Sequence, residues 1–215
     1  MKLEGKTFVF LGDSITEGVG TTAPGKRYFE LLQRQWGLKE AVGYGISGTR
    51  LARQIVESEI PSFDLYFASR VEQIQPADGV VVFGGTNDFG HGDAPIGAFA
   101  DRTPDTFYGA CHDLYTRLIR KYPGKPIVIM TPLHRANELE IKLKHGREVD
   151  LKTYVDIIRQ VAEYYSLPVC DLYRISGLQP AVPEIQEAFV PDGLHPNDAG
   201  HEIIAERLGN FLSAL

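Results

Sequence analysis

The sequence has few cysteines, no long apolar run and no excess of positive charge. Its two cysteines, Cys111 and Cys170, stand alone. That excludes a disulfide framework or a zinc site by spacing, and both are expected to be reduced and structural. No run approaches the 18 apolar residues of a membrane-spanning helix. Met1-Lys2-Leu3-Glu4-Gly5 shows no basic stretch leading into an apolar one, so neither a secretory signal nor membrane insertion is expected and the cytoplasm is the default compartment. The formal charge of −6 gives no general pull toward nucleic acid or an anionic membrane. Repeats, low-complexity stretches and linkers are also missing. The 215 residues, 43% hydrophobic and 23% charged, are expected to form a single domain spanning residues 1–215.

Several catalytic signatures are missing too. There is no G-x-x-x-x-G-K-[ST], no G-x-G-x-x-G at the first turn, no H-E-x-x-H and no G-x-S-x-G. The nearest approach to the last, Gly45-Ile46-Ser47-Gly48-Thr49, has Thr49 where the second glycine would be. A strained α/β-hydrolase elbow and metal ligation are therefore poorly supported.

What is present begins with five short apolar runs: Thr7–Leu11, Ala41–Ile46, Gly79–Phe83, Pro126–Thr131 and Pro168–Asp171. They barely alternate in polarity, as strands buried on both faces do. Helical spacing lies between them over Thr106–Tyr122, residues 151–165 and Asn197–Leu212, with Asp150 available as an N-cap. Strand and helix in alternation predict an α/β fold with a parallel sheet covered on both sides. Three long connections, Gly90–Asp105, Pro132–Asp150 and Leu172–Pro191, leave the carboxyl ends of strands. In open α/β sheets ligands bind at that edge.

The first strand stops at Gly12-Asp13-Ser14. Such residues make ordinary turns. They could also cradle a phosphate on a helix N-terminus, although Asp13 and Glu17 would repel it. A third reading is a serine nucleophile, which needs a base, and the base an orienting group. Asp192 stands three residues before His195, and Pro196 keeps His195 on a turn ahead of the last helix. Asp-x-x-His alone also reads as a capping turn. Acyl transfer further needs oxyanion donors. Asn87 at the end of the third strand, Gly48 after the second and the Ser14 N–H are candidates.

Taken together, four blocks in order resemble those of the SGNH (GDSL-type) hydrolases: Gly12-Asp13-Ser14-Ile15, Gly45-Ile46-Ser47-Gly48, Gly85-Thr86-Asn87-Asp88 and Asp192-Gly193-Leu194-His195. The resemblance covers nearly the whole chain. It departs at Gly43, where the family often has Asn. It implies a flavodoxin-like, three-layer α/β/α fold with a five-stranded parallel sheet in the order 2-1-3-4-5. It also implies ester hydrolysis through an acyl-enzyme, with no metal and no cofactor. Ser14 would be the nucleophile, His195 the base and Asp192 its orienting acid. Ser14, Gly48 and Asn87 would form the oxyanion hole.

Asp13, expected chiefly to shape the turn, is also a candidate for touching substrate, as are His91, His134 and Arg135 on the long loops. His201 is expected at the surface of the last helix or as its cap. The loops after the third and fourth strands read as polar and glycine-rich, which favours short acyl esters of a small polar or carbohydrate alcohol. The expected partner is a small-molecule ester, with homo-oligomers allowed. A lipase, thioesterase or lysophospholipase of the same family, a flavodoxin-like nucleotide binder and a non-catalytic binding module are the alternatives.

Overall fold

A computed structural model describes residues 1–215. Strand β1 (Thr7–Gly12) leads into a single helical turn, α1 (Ser14–Glu17), then α2 (Tyr28–Trp36) and β2 (Glu40–Gly45). Two short 3₁₀ segments, Pro61–Asp64 and Phe67–Gln73, precede β3 (Gly79–Phe83) and α3 (Thr86–Gly90). Helix α4 (Phe107–Lys121), β4 (Ile127–Met130) and a hairpin of β5 (Lys142–Lys144) and β6 (Arg147–Val149) follow. The chain closes with α5 (Leu151–Tyr164), β7 (Val169–Cys170), α6 (Leu172–Ile175), α7 (Pro183–Phe189) and α8 (Asp198–Ala214). No helix is long and apolar enough to cross a membrane.

Five strands form one parallel sheet in the order β2-β1-β3-β4-β7, which is the expected order 2-1-3-4-5 counted along the sheet-forming strands. Successive side chains of a strand point to opposite faces, and here both faces are apolar. Val9, Leu11, Val80, Val82, Ile127 and Ile129 join a core with α4 and α5. Phe8, Phe10, Val81, Phe83, Val128 and Met130 join a second core with α2 and α8. That accounts for the near-continuous apolar runs of the three central strands. Strand β2 departs from the expectation of burial on both faces, because it lies at the sheet edge and is half-exposed along most of its length.

The predicted helices are all present, shifted by a residue or two. Thr106, Asp150 and Asn197 each accept a backbone N–H at the N-terminus of α4, α5 and α8, the usual work of capping side chains. Cys111 and Cys170 are free and buried, one in each core. Within the long connection Pro132–Asp150 the structure adds the β5–β6 hairpin. Lys142 and Lys144 turn inward and donate to the carbonyls of Gly90 and Gly92. Leu139, Ile141 and Leu143 face solvent.

Candidate active site

Strand register brings the site together. Gly12 at the end of β1 pairs with Gly45 of β2 and with Phe83 of β3. The three chains therefore leave the sheet at one level. Ser14 opens α1, so its N–H is a first-turn amide without a helical carbonyl to serve. Asp13 caps that turn, its Oδ1 accepting the Ile15 N–H at 3.1 Å. With 2% of its surface exposed, Asp13 is turned into the protein and presents almost nothing to a ligand. Burial pushes its carboxyl up to about 7.

Ser14 Oγ lies 3.0 Å from His195 Nε2. His195 Nδ1 lies 2.7 Å from Asp192 Oδ2. The other carboxylate oxygen, Oδ1, accepts the backbone N–H groups of Leu194 (2.8 Å) and His195 (2.6 Å). Partial burial of Asp192 raises its pKa. The bonds from the His195 amide and ring and from Leu194 outweigh that and leave it below the usual carboxylate range. An ionised Asp192 only accepts, so Nδ1 carries the proton and Nε2 is the acceptor facing the Ser14 hydroxyl. Such an Nε2 can take the serine proton as Oγ attacks a carbonyl carbon.

Asn87 and Gly48 are joined through Thr49, the residue after Gly48. Asn87 Nδ2 donates to Thr49 O at 3.0 Å, which leaves the second amide hydrogen for another acceptor. Gly48 has φ +75°, a left-handed conformation that strains any residue with a Cβ. A Cβ there would also lie 2.4 Å from the Phe63 ring.

Three buried side chains that the sequence reading leaves without a role hold this loop. Arg70 donates to Gly12 O (3.1 Å), Tyr44 O (3.0 Å) and Thr49 Oγ1 (3.2 Å), tying the ends of β1 and β2 to the Gly48 turn. Asp88 accepts the Leu51 and Ala52 N–H groups, both at 2.9 Å, and burial pushes its carboxyl up to about 6. Arg50 is only 4% exposed. It reaches His91 Nδ1 at 3.1 Å and Phe63 O at 3.0 Å. At the near side, Glu17 Oε2 accepts the Ser47 N–H at 2.6 Å. Asp88 ends the block Gly85-Thr86-Asn87-Asp88, the one sequence signal for it, whereas nothing local in the sequence marks the two arginines.

The remaining loop candidates divide. Arg135 Nη1 donates to Thr86 O (3.1 Å) and Thr86 Oγ1 (3.2 Å), beside Asn87. His91 caps the C-terminus of α3 and shows part of its ring to solvent. Desolvation first, then the Arg50 charge and those of Arg135, Lys144 and Lys142, push its pKa down to about 4. His134 is engaged elsewhere: its Nδ1 meets Glu138 Oε2 at 2.7 Å and its ring lies 3.9 Å from that of Tyr173. His201 is neither at the surface nor a cap of the last helix, the two places expected for it. It is fully buried, accepts the Tyr28 N–H at Nδ1 (3.1 Å) and stacks on the Tyr28 ring. The edge is also less uniformly polar than the loop sequences suggest, since Ile55 and Val56 are exposed as well as the outward face of the hairpin.

A model of the GDSL-like lipase/acylhydrolase family matches residues 10–203. A GDSL lipase of Mycobacterium tuberculosis is 25% identical over 206 residues, covering 94% of this chain and 80% of that protein. The crystal structure of a Lactobacillus plantarum protein superposes with a TM-score of 0.83 at 32% identity, covering 98% of each chain. A carbohydrate acetylesterase family member from Sinorhizobium meliloti superposes with a TM-score of 0.64 at 19% identity, over 97% of this chain and 98% of that one; that likeness is one of fold.

Proposed function

The chain belongs to the GDSL-like lipase/acylhydrolase family, and on that premise we propose that it is a serine esterase acting on short-chain acyl esters of a small polar or carbohydrate alcohol. Its 215 residues work as one hydrolase domain. The observation that carries the reading is the relay from Ser14 Oγ to His195 Nε2 at 3.0 Å and from His195 Nδ1 to Asp192 Oδ2 at 2.7 Å.

Ser14 Oγ attacks the ester carbonyl carbon while its proton passes to His195 Nε2. The carbonyl oxygen becomes an oxyanion, received by the Ser14 and Gly48 N–H groups and the free Asn87 amide hydrogen. The C–O bond then breaks and the alcohol leaves with the proton from His195. Water enters, gives a proton to His195 and attacks the acyl-enzyme. The carboxylic acid departs as Ser14 recovers its proton. Asp192 keeps the imidazole in the one tautomer that can accept and stabilises the imidazolium. No metal or cofactor takes part in these steps.

The polar groups around the site, Glu17, Ser47 and Arg135, suit an alcohol rich in hydroxyls. Sites built from polar groups reject substrates that cannot pair with them. A second reading, a lipase or lysophospholipase, draws on the exposed Leu139 and Ile141 just before the hairpin and Leu143 on it, since exposed apolar surface often marks a lipid or protein contact. The test is kcat/KM for p-nitrophenyl acetate, butyrate, octanoate and palmitate, with acetylated sugars alongside. Efficiency highest on acetate, with acetate released from a sugar, supports the first reading. Efficiency rising toward octanoate or palmitate replaces it with the second.

A further inference from the structure

Phe63 lies against the Gly48 turn, on the face where a Cβ at that glycine would be. It belongs to the 3₁₀ turn Pro61–Asp64, and nothing in the sheet or the main cores obliges an aromatic ring to stand there. The turn is nevertheless fixed. Arg50, buried at 4% exposure, donates through Nη2 to Phe63 O and to Ser58 Oγ, each at 3.0 Å. Asp64 Oδ2 accepts the Ser58 N–H at 2.9 Å and closes the loop on itself.

The other end of the Arg50 guanidinium meets His91 Nδ1 at 3.1 Å. A guanidinium only donates, so His91 is neutral there, with its proton on Nε2. The two rings lie 5.8 Å apart at 39°. His91 in turn follows directly on α3, and its N–H bonds Asn87 O at 3.0 Å. One buried arginine thus links the ring beside Gly48 to the ring beside Asn87. The aromatic pair forms an uncharged wall beside the two loops assigned above to the oxyanion.

The direction of this wall follows from the tetrahedral carbon. Its four bonds go to Ser14 Oγ, the oxyanion, the leaving oxygen and the acyl chain. The leaving oxygen has to lie beside His195 to receive its proton, and the oxyanion beside Gly48 and Asn87. The acyl chain takes the direction that remains, away from His195.

We infer that Phe63, latched by Arg50 and backed by His91, is the specificity-determining residue that ends the acyl subsite after a few carbons. This rests on the esterase reading above and deepens it. Arg50 acts through Phe63 and His91 and is a positioning residue. The substrate class is an unbranched, uncharged acyl group of acetyl to butyryl size.

The test compares wild type with Phe63→Ala and Phe63→Trp on p-nitrophenyl acetate, butyrate, hexanoate and octanoate, with thermal melting to check folding. A methylene placed in or excluded from an apolar pocket changes efficiency by about 10-fold or more. Phe63→Ala is expected to raise the hexanoate-to-acetate ratio of kcat/KM by about 10-fold or more, and Phe63→Trp to lower the butyrate-to-acetate ratio. Opposite shifts from a smaller and a larger side chain cannot come from general damage. Phe63→Leu, the milder truncation, moves the ratio in the alanine direction by less, and decides the matter if alanine prevents folding. An active wild type whose ratios stay within about two-fold in folded variants overturns the wall alone, since a real pocket change is worth far more than that. A wild type inert toward every ester removes the esterase reading and the wall with it.

Discussion

Asp192 grips His195 at two points: Oδ2 meets the ring at Nδ1 (2.7 Å) and Oδ1 the backbone N–H (2.6 Å). The same carboxylate therefore sets both the turn and the tautomer, and the two effects can be separated. In Asp192→Asn the amide oxygen can still accept the Leu194 and His195 N–H groups. The amide NH₂ then faces Nδ1, which has to accept, and the ring proton moves to Nε2. That imidazole cannot take the Ser14 proton. We expect kcat to fall by roughly 10²- to 10⁴-fold with little change in melting temperature. The lower end reflects an Asp192 side chain that is 54% exposed, so that water screens part of its charge. An Asp192→Asn enzyme as fast as wild type would remove Asp192 from the relay.

Ser14→Ala is expected to lose essentially all turnover on p-nitrophenyl acetate. The residue is buried, but its side chain is small and its bond is to His195, so truncation leaves only a minor gap. The fold should persist, with a melting temperature close to wild type. Residual rate would be confined to what oxyanion donors and binding supply. Substantial turnover by the folded variant would place the nucleophile elsewhere.

Asn87→Ala tests the oxyanion assignment. The expected loss in kcat is about 10²–10³, the usual cost of one donor. Part of the stability should go too, because Thr49 O loses the Asn87 amide that satisfies it at 3.0 Å. A buried acceptor left alone costs about 1–3 kcal/mol. A rise in KM with kcat unchanged would mean that Asn87 binds ground-state substrate instead.

The parts of this molecule that are local in sequence were legible there. Strand ends, capping residues and the Asp192–His195 turn are each set within a few positions. Parallel pairing then brings Gly12, Gly45 and Phe83 to one level. The residues that fix the loops were not legible. Arg70 bonds Gly12 O across 58 positions and Arg50 bonds His91 across 41, and no periodicity marks a loop contact of that kind. The β5–β6 hairpin was hidden by its charges: Lys142 and Lys144 look solvent-facing, yet they point inward to the carbonyls of Gly90 and Gly92. The polarity of His201 points to the surface, but its position does not. It lies at helical spacing with Ile204, Ala205 and Leu208, all buried, so the pattern that predicts the helix also puts His201 inside.

His201 also supplies a prediction about acid stability. Its Nδ1 accepts the Tyr28 N–H at 3.1 Å, while Nε2 is buried without a partner. Protonating Nδ1 would set a donor against a donor in a place closed to water. Burial pushes the pKa down to about 4 from 6.5, outweighing the Asp198 charge that would raise it. The sign then follows. The unfolded chain binds this proton at higher pH than the folded one, so stability falls as pH falls. The contribution is complete above about 6.5, the unfolded value, and is lost progressively down to about 4. His201→Asn places an amide oxygen near the position of Nδ1 and cannot titrate. It should be less stable than wild type at pH 7, having lost the ring stacked on Tyr28. Between pH 7 and 4.5 its melting temperature should drop less than that of wild type. Asp13 and Asp88, whose raised values act in the opposite direction over this range, are common to both proteins and cancel in the comparison. Equal drops in the two proteins would show that His201 does not couple folding to acid.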